Sequence, residues 1–257
     1  MKKLLLRCDD FGSAAGANQA ILRLAESGLT FNVSVMICGP EGKKNLEVLA
    51  RHAPHLGLGI HAAVNAEWDT VKWGPVGDTT QARAHGLVDA QGHFHADPNK
   101  LSQVPPEIVL DEVRAQIRRG LGWGIPFSYL DEHMGFSWVQ NLRAPLAALA
   151  EEFGLIYRPA IPGLQPGKTY GGLVANWREG LKSIHAHPHL LITHPALDDD
   201  STRPFYNMSI LPGVVPRERQ AEFEALGSLA WREALSAEKI ELITYQELTE
   251  EEVAAHG

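Results

Sequence analysis

Short apolar runs that end in ionisable residues recur along the chain. Leu4-Leu5-Leu6-Arg7-Cys8 runs into Asp9-Asp10-Phe11-Gly12, and the apolar stretch 56–63 is interrupted only at His61. Residues 127–130 lead into Asp131-Glu132-His133, Leu155-Ile156-Tyr157 into Arg158-Pro159, and residues 189–193 into His194-Pro195. With 31–38 and 239–244 these make seven predicted strands, and 56–63, apolar on both faces, suggests a covered parallel sheet. Between them apolar positions return with helical spacing over 17–27, 41–52, 108–121, 142–153, 174–186, 217–235 and 246–255, which predicts seven helices. Pro106 opens the third of these, with acidic residues in its first turns and Arg118 and Arg119 near its end, as the helix dipole prefers.

Strands alternating with helices imply right-handed parallel crossovers and an α/β class. The economical architecture is a (β/α) barrel in a single domain over residues 1–257, seven-stranded and imperfectly closed. An irregular, lid-like insertion covers about residues 65–106, after strand 3. An open, doubly wound sheet is the alternative. Within the insertion, 86–95 predicts a small hairpin with His93 and His95 on a solvated face, and Trp68 and Trp73 are expected to be partly exposed.

Composition narrows the function. The 257 residues are 44% hydrophobic, enough for a sizeable core, and 23 Lys and Arg against 31 Asp and Glu leave a net charge of -8. That balance, without a basic block, argues against nucleic acid and anionic membrane surfaces as partners. The apolar start is cut at Arg7 and Asp9, too soon for a secretory core, and no stretch is long enough to span a membrane. Cys8 and Cys38 sit in predicted strands as buried free thiols, which fits a reducing cytoplasm.

In a barrel of this kind the C-terminal strand ends form the active face. Here they carry Asp9 and Asp10, His61, Asp131 and His133, Arg158 and His194. Adjacent carboxylates repel and persist where a cation holds them. One carboxylate with two imidazoles from three strands makes a three-ligand metal set with positions left open, assigned to Asp10, His61 and His133. Asp9 is then the general base, His194 the general acid, and Arg158 the cation that holds Asp9 ionised. Asp131, two residues before His133, is a partner for an imidazole N–H or a substrate contact. Trp68, Trp73, Phe136 and Trp138 offer aromatic faces on which a sugar ring can stack. The His185-Ala-His187-Pro-His189 stretch precedes a strand, lies at the opposite rim, and reads as surface.

These motifs together resemble the YdjC-like (ChbG/HpnK) carbohydrate deacetylases, relatives of the NodB-type polysaccharide deacetylases. The matching pieces are Asp9-Asp10-Phe11-Gly12, Gly16 to Ile21, Gly57-Leu58-Gly59-Ile60-His61, Asp131-Glu132-His133, Thr193-His194-Pro195 and Tyr245-Gln246-Glu247-Leu248, in the family's order across nearly the whole chain. The resemblance implies one divalent metal ion on Asp10, His61 and His133, Zn or Mg foremost with Mn, Co and Ni also tolerated. It further implies Asp9 as base, His194 as acid, and hydrolysis of an N-acetyl group from a small amino sugar or chitooligosaccharide; a homodimer is compatible with it. Two positions depart from the pattern. The histidines that commonly follow the family's Asp-x-His are replaced by Met134, Gly135 and Phe136, and an Asn two residues after the first metal histidine is replaced by Ala63. The competing readings are a hydrolase of another amide or ester, a non-haem iron oxygenase, a metal-free glycosidase using paired carboxylates, and a non-catalytic sugar-binding barrel.

Overall fold

The computed structural model describes residues 2–164, 177, 179–185, 187–249 and 251–252. Its centre is β1 (Lys2–Phe11), whose run of apolar residues is buried on both faces. β2 (Asn32–Val35), β3 (Gly57–Ala62) and β4 (Tyr129–Glu132) follow on one side and β5 (His189–Thr193) lies on the other, in the order β4-β3-β2-β1-β5. The short β6 (Ile240–Leu242) pairs with the beginning of β1, and every ladder is parallel. Asn32 ties that corner together, donating from Nδ2 to Leu6 O and Ile243 O and accepting from Tyr245 N.

Parallel strands need crossovers, and helices supply them. α1 (Ala15–Glu26) buries Ala17, Ala20, Ile21 and Leu24, the spacing read from the sequence, and α2 (Leu46–His52) is shorter than predicted. The small α3 (Thr79–Ala84) lies in the insertion, capped by Asp78. α4 (Pro106–Leu121) buries Val109, Val113 and Ile117, and α5 (Arg143–Glu152) follows β4. The helix predicted over 217–235 is two, α6 (Val214–Gly227) and α7 (Leu229–Ala237). They break at Ser228, whose extended backbone (ψ 153°) and side chain, accepting from Trp231 N, start a new helix. Of the helix expected over 174–186, residues 177 and 179–182 are helical, and 174–176, 178 and 186 lie outside the described residues. Of the closing helix expected over 246–255, a short 3-10 turn, Tyr245–Glu247, and helical 251–252 are present, 248–249 are not helical, and 250 and 253–255 lie outside the described residues.

Six strands form the sheet among the described residues, one fewer than the sequence predicts. The missing one is 155–159, reduced to a single bridge between Ile156 and Tyr129. Gly154 before it takes a left-handed φ of 68° and Pro159 after it has no N–H to donate, so the ladder cannot extend. On the far edge Gly163 makes a matching bridge to Leu190, so the sheet curls from both sides toward a barrel.

The insertion after β3 is built into the core rather than lying loosely over it. Trp68 and Trp73 are 1% and 3% exposed, which corrects the expectation of partial exposure, and Leu87, Val88, Phe94, Leu101 and Val104 join the same apolar cluster. Trp68 lies parallel to Phe205, ring centroids 5.3 Å apart. The predicted hairpin is present as an antiparallel Val88–Phe94 bridge, with Asp89 N donating to His93 O. Among the described residues no helix is long and apolar enough to cross a membrane.

Candidate functional site

The ends of β1, β3 and β4 open on one cavity of about 610 Å³, lined by Asp9, Asp10, His61, Asp131, His133, Arg158 and His194 among others. Strand alternation would send Asp9 and Asp10 to opposite faces. The ladder with β2 slips between Cys8 and Phe11, and Asp10 takes a left-handed φ of 66°, so both carboxylates reach the same cavity. Such backbone is uncommon outside glycine and is concentrated at functional sites.

Asp10 Oδ1, His61 Nε2 and His133 Nδ1 form a near-equilateral triangle. Oδ1 lies 3.5 Å from His61 Nε2 and 3.4 Å from His133 Nδ1, and the two nitrogens are 3.3 Å apart. Ligands bonded at about 2.0–2.2 Å in a tetrahedral set stand roughly 3.3–3.6 Å from one another, so the donors fit a divalent ion. Asp10 Oδ1 is fully buried without a hydrogen-bond partner, an orphan that such an ion would satisfy.

Each of the three donors is held from behind. Arg219 Nη2 donates to Asp10 Oδ2 at 2.7 Å, and its guanidinium lies over the rings of Phe205 and Trp68 at 5.3 and 5.7 Å. His61 Nδ1 lies 3.1 Å from Asp131 Oδ1, and His133 Nε2 lies 2.8 Å from Glu67 Oε2. Asp131 Oδ1 thus stands beside an imidazole nitrogen. Its Oδ2 accepts from Ser34 Oγ at 3.0 Å and pairs with Arg7 Nη1 at 3.0 Å.

Asp9 is gripped by Arg7, whose Nε and Nη2 donate to its two oxygens at 2.7 and 2.8 Å. Arg7, not Arg158, is the cation on Asp9, because two residues along a strand place side chains on one face. Arg158 lines the same cavity and donates from Nη1 to Tyr157 O. His194 also lines the cavity, its backbone N–H anchored on Glu222 Oε2. Of the four aromatic candidates Trp68 forms part of the cavity wall, while Trp73 packs edge-on to His133. Phe136 is buried in the core and Trp138 is 58% exposed, and neither is among the described residues lining the cavity. The left-handed turn at Met134 and Gly135 (φ 54° and 61°) carries the chain away from the line of β4 before those rings are reached.

The electrostatics follow from burial and pairing. Burial works against ionising Asp10, but the Arg219 charge and the two imidazoles that face it outweigh it and hold the carboxyl well below its ordinary range. Burial likewise opposes protonation of His61, and the charges of Asp131 and Asp9 override it, raising this imidazole well above its usual value. His133 is raised to about 9, against its own burial, by the Glu67 charge and by the facing carboxylates of Glu67 and Asp10, which accept from a protonated ring. Asp131 is lowered despite its burial because Arg7 and His61 face it.

Three residues of this arrangement went unread in the sequence as site residues: Arg7, Glu67 and Arg219. Arg7 carried a signal, its spacing of two from Asp9 on a strand. Glu67, in an irregular segment, and Arg219, one of many polar residues on a long helix, carried none.

The model of the YdjC-like protein family matches residues 3–237. A carbohydrate deacetylase of Brevibacillus brevis is 24% identical over 265 aligned positions, covering 96% of this chain and 99% of that protein. One from Listeria welshimeri is 26% identical, covering 96% and 100%. Among solved structures, an Enterococcus faecalis protein described as a candidate cellobiose-phosphate cleavage protein superposes with a TM-score of 0.79 at 20% identity, over 96% of this chain and 99% of that one. The peptidoglycan deacetylase PdaC of Bacillus subtilis shares the fold more distantly, with a TM-score of 0.51 at 13% identity over 99% and 92% of the two chains. With the family's model running over nearly all of the sheet and every strand end that lines the cavity, the chain belongs to the YdjC-like protein family.

Proposed function

We propose that this chain is a metal-dependent hydrolase that removes the N-acetyl group from a small amino sugar or short oligosaccharide. The observation that carries the reading is the triangle of Asp10 Oδ1, His61 Nε2 and His133 Nδ1, with edges of 3.3–3.5 Å, at the cavity. Full-length relatives named carbohydrate deacetylases support the substrate class. A cavity of about 610 Å³ is in the ordinary range for a small-molecule ligand.

Asp10, His61 and His133 would hold the divalent ion, which when bound supplies a Lewis acid for the acetyl carbonyl and makes water more acidic. The remaining work falls to the chain itself. Asp9 accepts the proton of the attacking water at a carboxylate oxygen, each of which keeps a lone pair beyond its bond to Arg7. Arg7 keeps that carboxylate ionised and fixed in orientation. As the carbon–nitrogen bond breaks, His194 gives a proton to the departing nitrogen, so acetate and a free amine leave. Trp68 offers the sugar an apolar wall, and Arg158 lies near enough to the cavity to contact substrate hydroxyls.

Elemental analysis of the purified protein combined with acetate release from a panel of N-acetylated sugars tests the reading. Stoichiometric divalent metal and acetate release that stops on chelation and returns on reloading are expected. Acetate release undiminished after complete removal of the metal, or none from any sugar by the loaded protein, would overturn it.

A further inference from the structure

Resting on the metal-site reading above, we infer that Glu67 is the positioning residue for His133, holding the imidazole with its proton on Nε2 and the Nδ1 lone pair turned toward Asp10 and His61. The segment that follows β3 reaches the His133 turn three times. Glu67 Oε2 lies 2.8 Å from His133 Nε2, and the Trp73 ring meets the imidazole edge-on with centroids 5.7 Å apart. Asn65 Nδ2 donates to Met134 Sδ at 2.9 Å, and Trp73 Nε1 donates back to Asn65 O at 2.7 Å, which closes the segment on itself. The Glu67 carbonyl also accepts from Asn207 Nδ2, fixing the same residue from the far loop.

A carboxylate accepts from Nε2 only when that nitrogen carries the proton. The competing tautomer would point an N–H from Nδ1 at Asp10 Oδ1, 3.4 Å away, or at His61 Nε2, 3.3 Å away, and fill the donor triangle with a proton. Between the two neutral forms of the ring, Glu67 therefore selects the one that leaves three lone pairs in the triangle over the one that blocks it. On the other ligand the nitrogens are exchanged, with His61 Nδ1 outward, 3.1 Å from Asp131 Oδ1, and Nε2 inward. His133 depends on its partner more heavily, because it follows the end of β4 and precedes two left-handed residues, so no strand ladder sets its ring.

The test is a zinc titration of metal-stripped wild-type protein, Glu67→Ala and Glu67→Gln against a competing chelator, with folding checked by circular dichroism. Glu67→Ala is expected to bind zinc about 10–100-fold more weakly, and Glu67→Gln, which keeps an acceptor, to lie much closer to wild type. In zinc-loaded wild-type protein carrying 15N-histidine, the spectrum of His133 is expected to show the proton on Nε2 and the metal-shifted resonance on Nδ1. Equal affinity of Glu67→Ala and wild type, or a His133 proton on Nδ1, overturns the inference. The wild-type spectrum decides alone should Glu67→Ala fail to fold. Wild-type protein that binds no zinc removes the metal-site reading as well, whereas normal wild-type binding with an unaffected Glu67→Ala removes only the role of Glu67.

Discussion

Asp9 and Asp10 are neighbours in sequence yet answer to different arginines, and that division separates their chemistry. Arg7 takes both oxygens of Asp9, whereas Arg219 takes one oxygen of Asp10 and leaves the other facing the histidines. Asp9→Asn is therefore expected to lower turnover by about a hundredfold or more, with zinc affinity within a few fold of wild type. Asp10→Asn is expected to lose metal binding outright. Parallel acetate-release assays and zinc titrations separate the two, and an Asp9→Asn protein that failed to bind zinc would contradict the assignment. Arg7 is buried with Asp9 and Asp131 both on it, so Arg7→Met strands two carboxylates away from water. It is expected to destabilise the fold by about 3–5 kcal/mol in urea unfolding, where a change below about 1 kcal/mol would show the pair to be dispensable. At this scale the sequence disclosed which residue types gather at the strand ends. It could not disclose that Asp10 breaks strand alternation, since the aspartate pair reads identically with one side chain turned away.

Elements are registered to the site through contacts as close as Gly59 on Tyr129. These residues pair between β3 and β4, and a Cβ on Gly59 would fall 2.2 Å from the Tyr129 ring. The ring cannot yield easily, because it stacks on Tyr245 with centroids 4.2 Å apart and its hydroxyl shares a 2.9 Å hydrogen bond with Ser34. Gly59→Ala is expected to destabilise the protein by about 1–3 kcal/mol, read by thermal or urea unfolding. Zinc affinity should fall with it, because β3 and β4 carry His61 and Asp131 and lead into His133. Unchanged stability and affinity would mean the two strands are coupled more loosely than their register suggests. The apolar runs made β1 and β3 legible in advance, since a strand covered on both faces advertises itself by continuous hydrophobicity. The fifth predicted strand misled because the same run sits between Gly154 and Pro159, which limit it to one bridge, and the long helix misled because Ser228 is an unremarkable residue until its cap is formed. Trp68 and Trp73 were misread for a related reason: an irregular segment looks like surface in sequence, and only its packing against Phe205 and His133 reveals a core.

Immediately around the donor triangle, carboxylates outnumber arginines. Asp9, Asp10, Asp131 and Glu67 face Arg7 and Arg219, and the two histidines between them are accordingly raised, His133 to about 9. In metal-free protein at neutral pH these imidazoles are therefore expected to carry protons in place of the ion. A group raised above its unfolded value of about 6.5 adds stability that is complete below that pH and is lost as pH rises through the folded value. Metal-free protein is therefore expected to lose thermal stability between about pH 6.5 and pH 9, a window in which paired carboxylates are already ionised and contribute no slope. Zinc binding needs the same nitrogens unprotonated, so loading at pH 7 should expel about two protons, one from each histidine, while Asp10, already ionised, gives up none. Calorimetric titrations in two buffers of different ionisation enthalpy count those protons directly. Zinc binding that released no proton at pH 7, together with a melting temperature of the metal-free protein that stayed level to pH 9, would show that the histidines are neutral before the metal arrives and that the excess negative charge is compensated elsewhere.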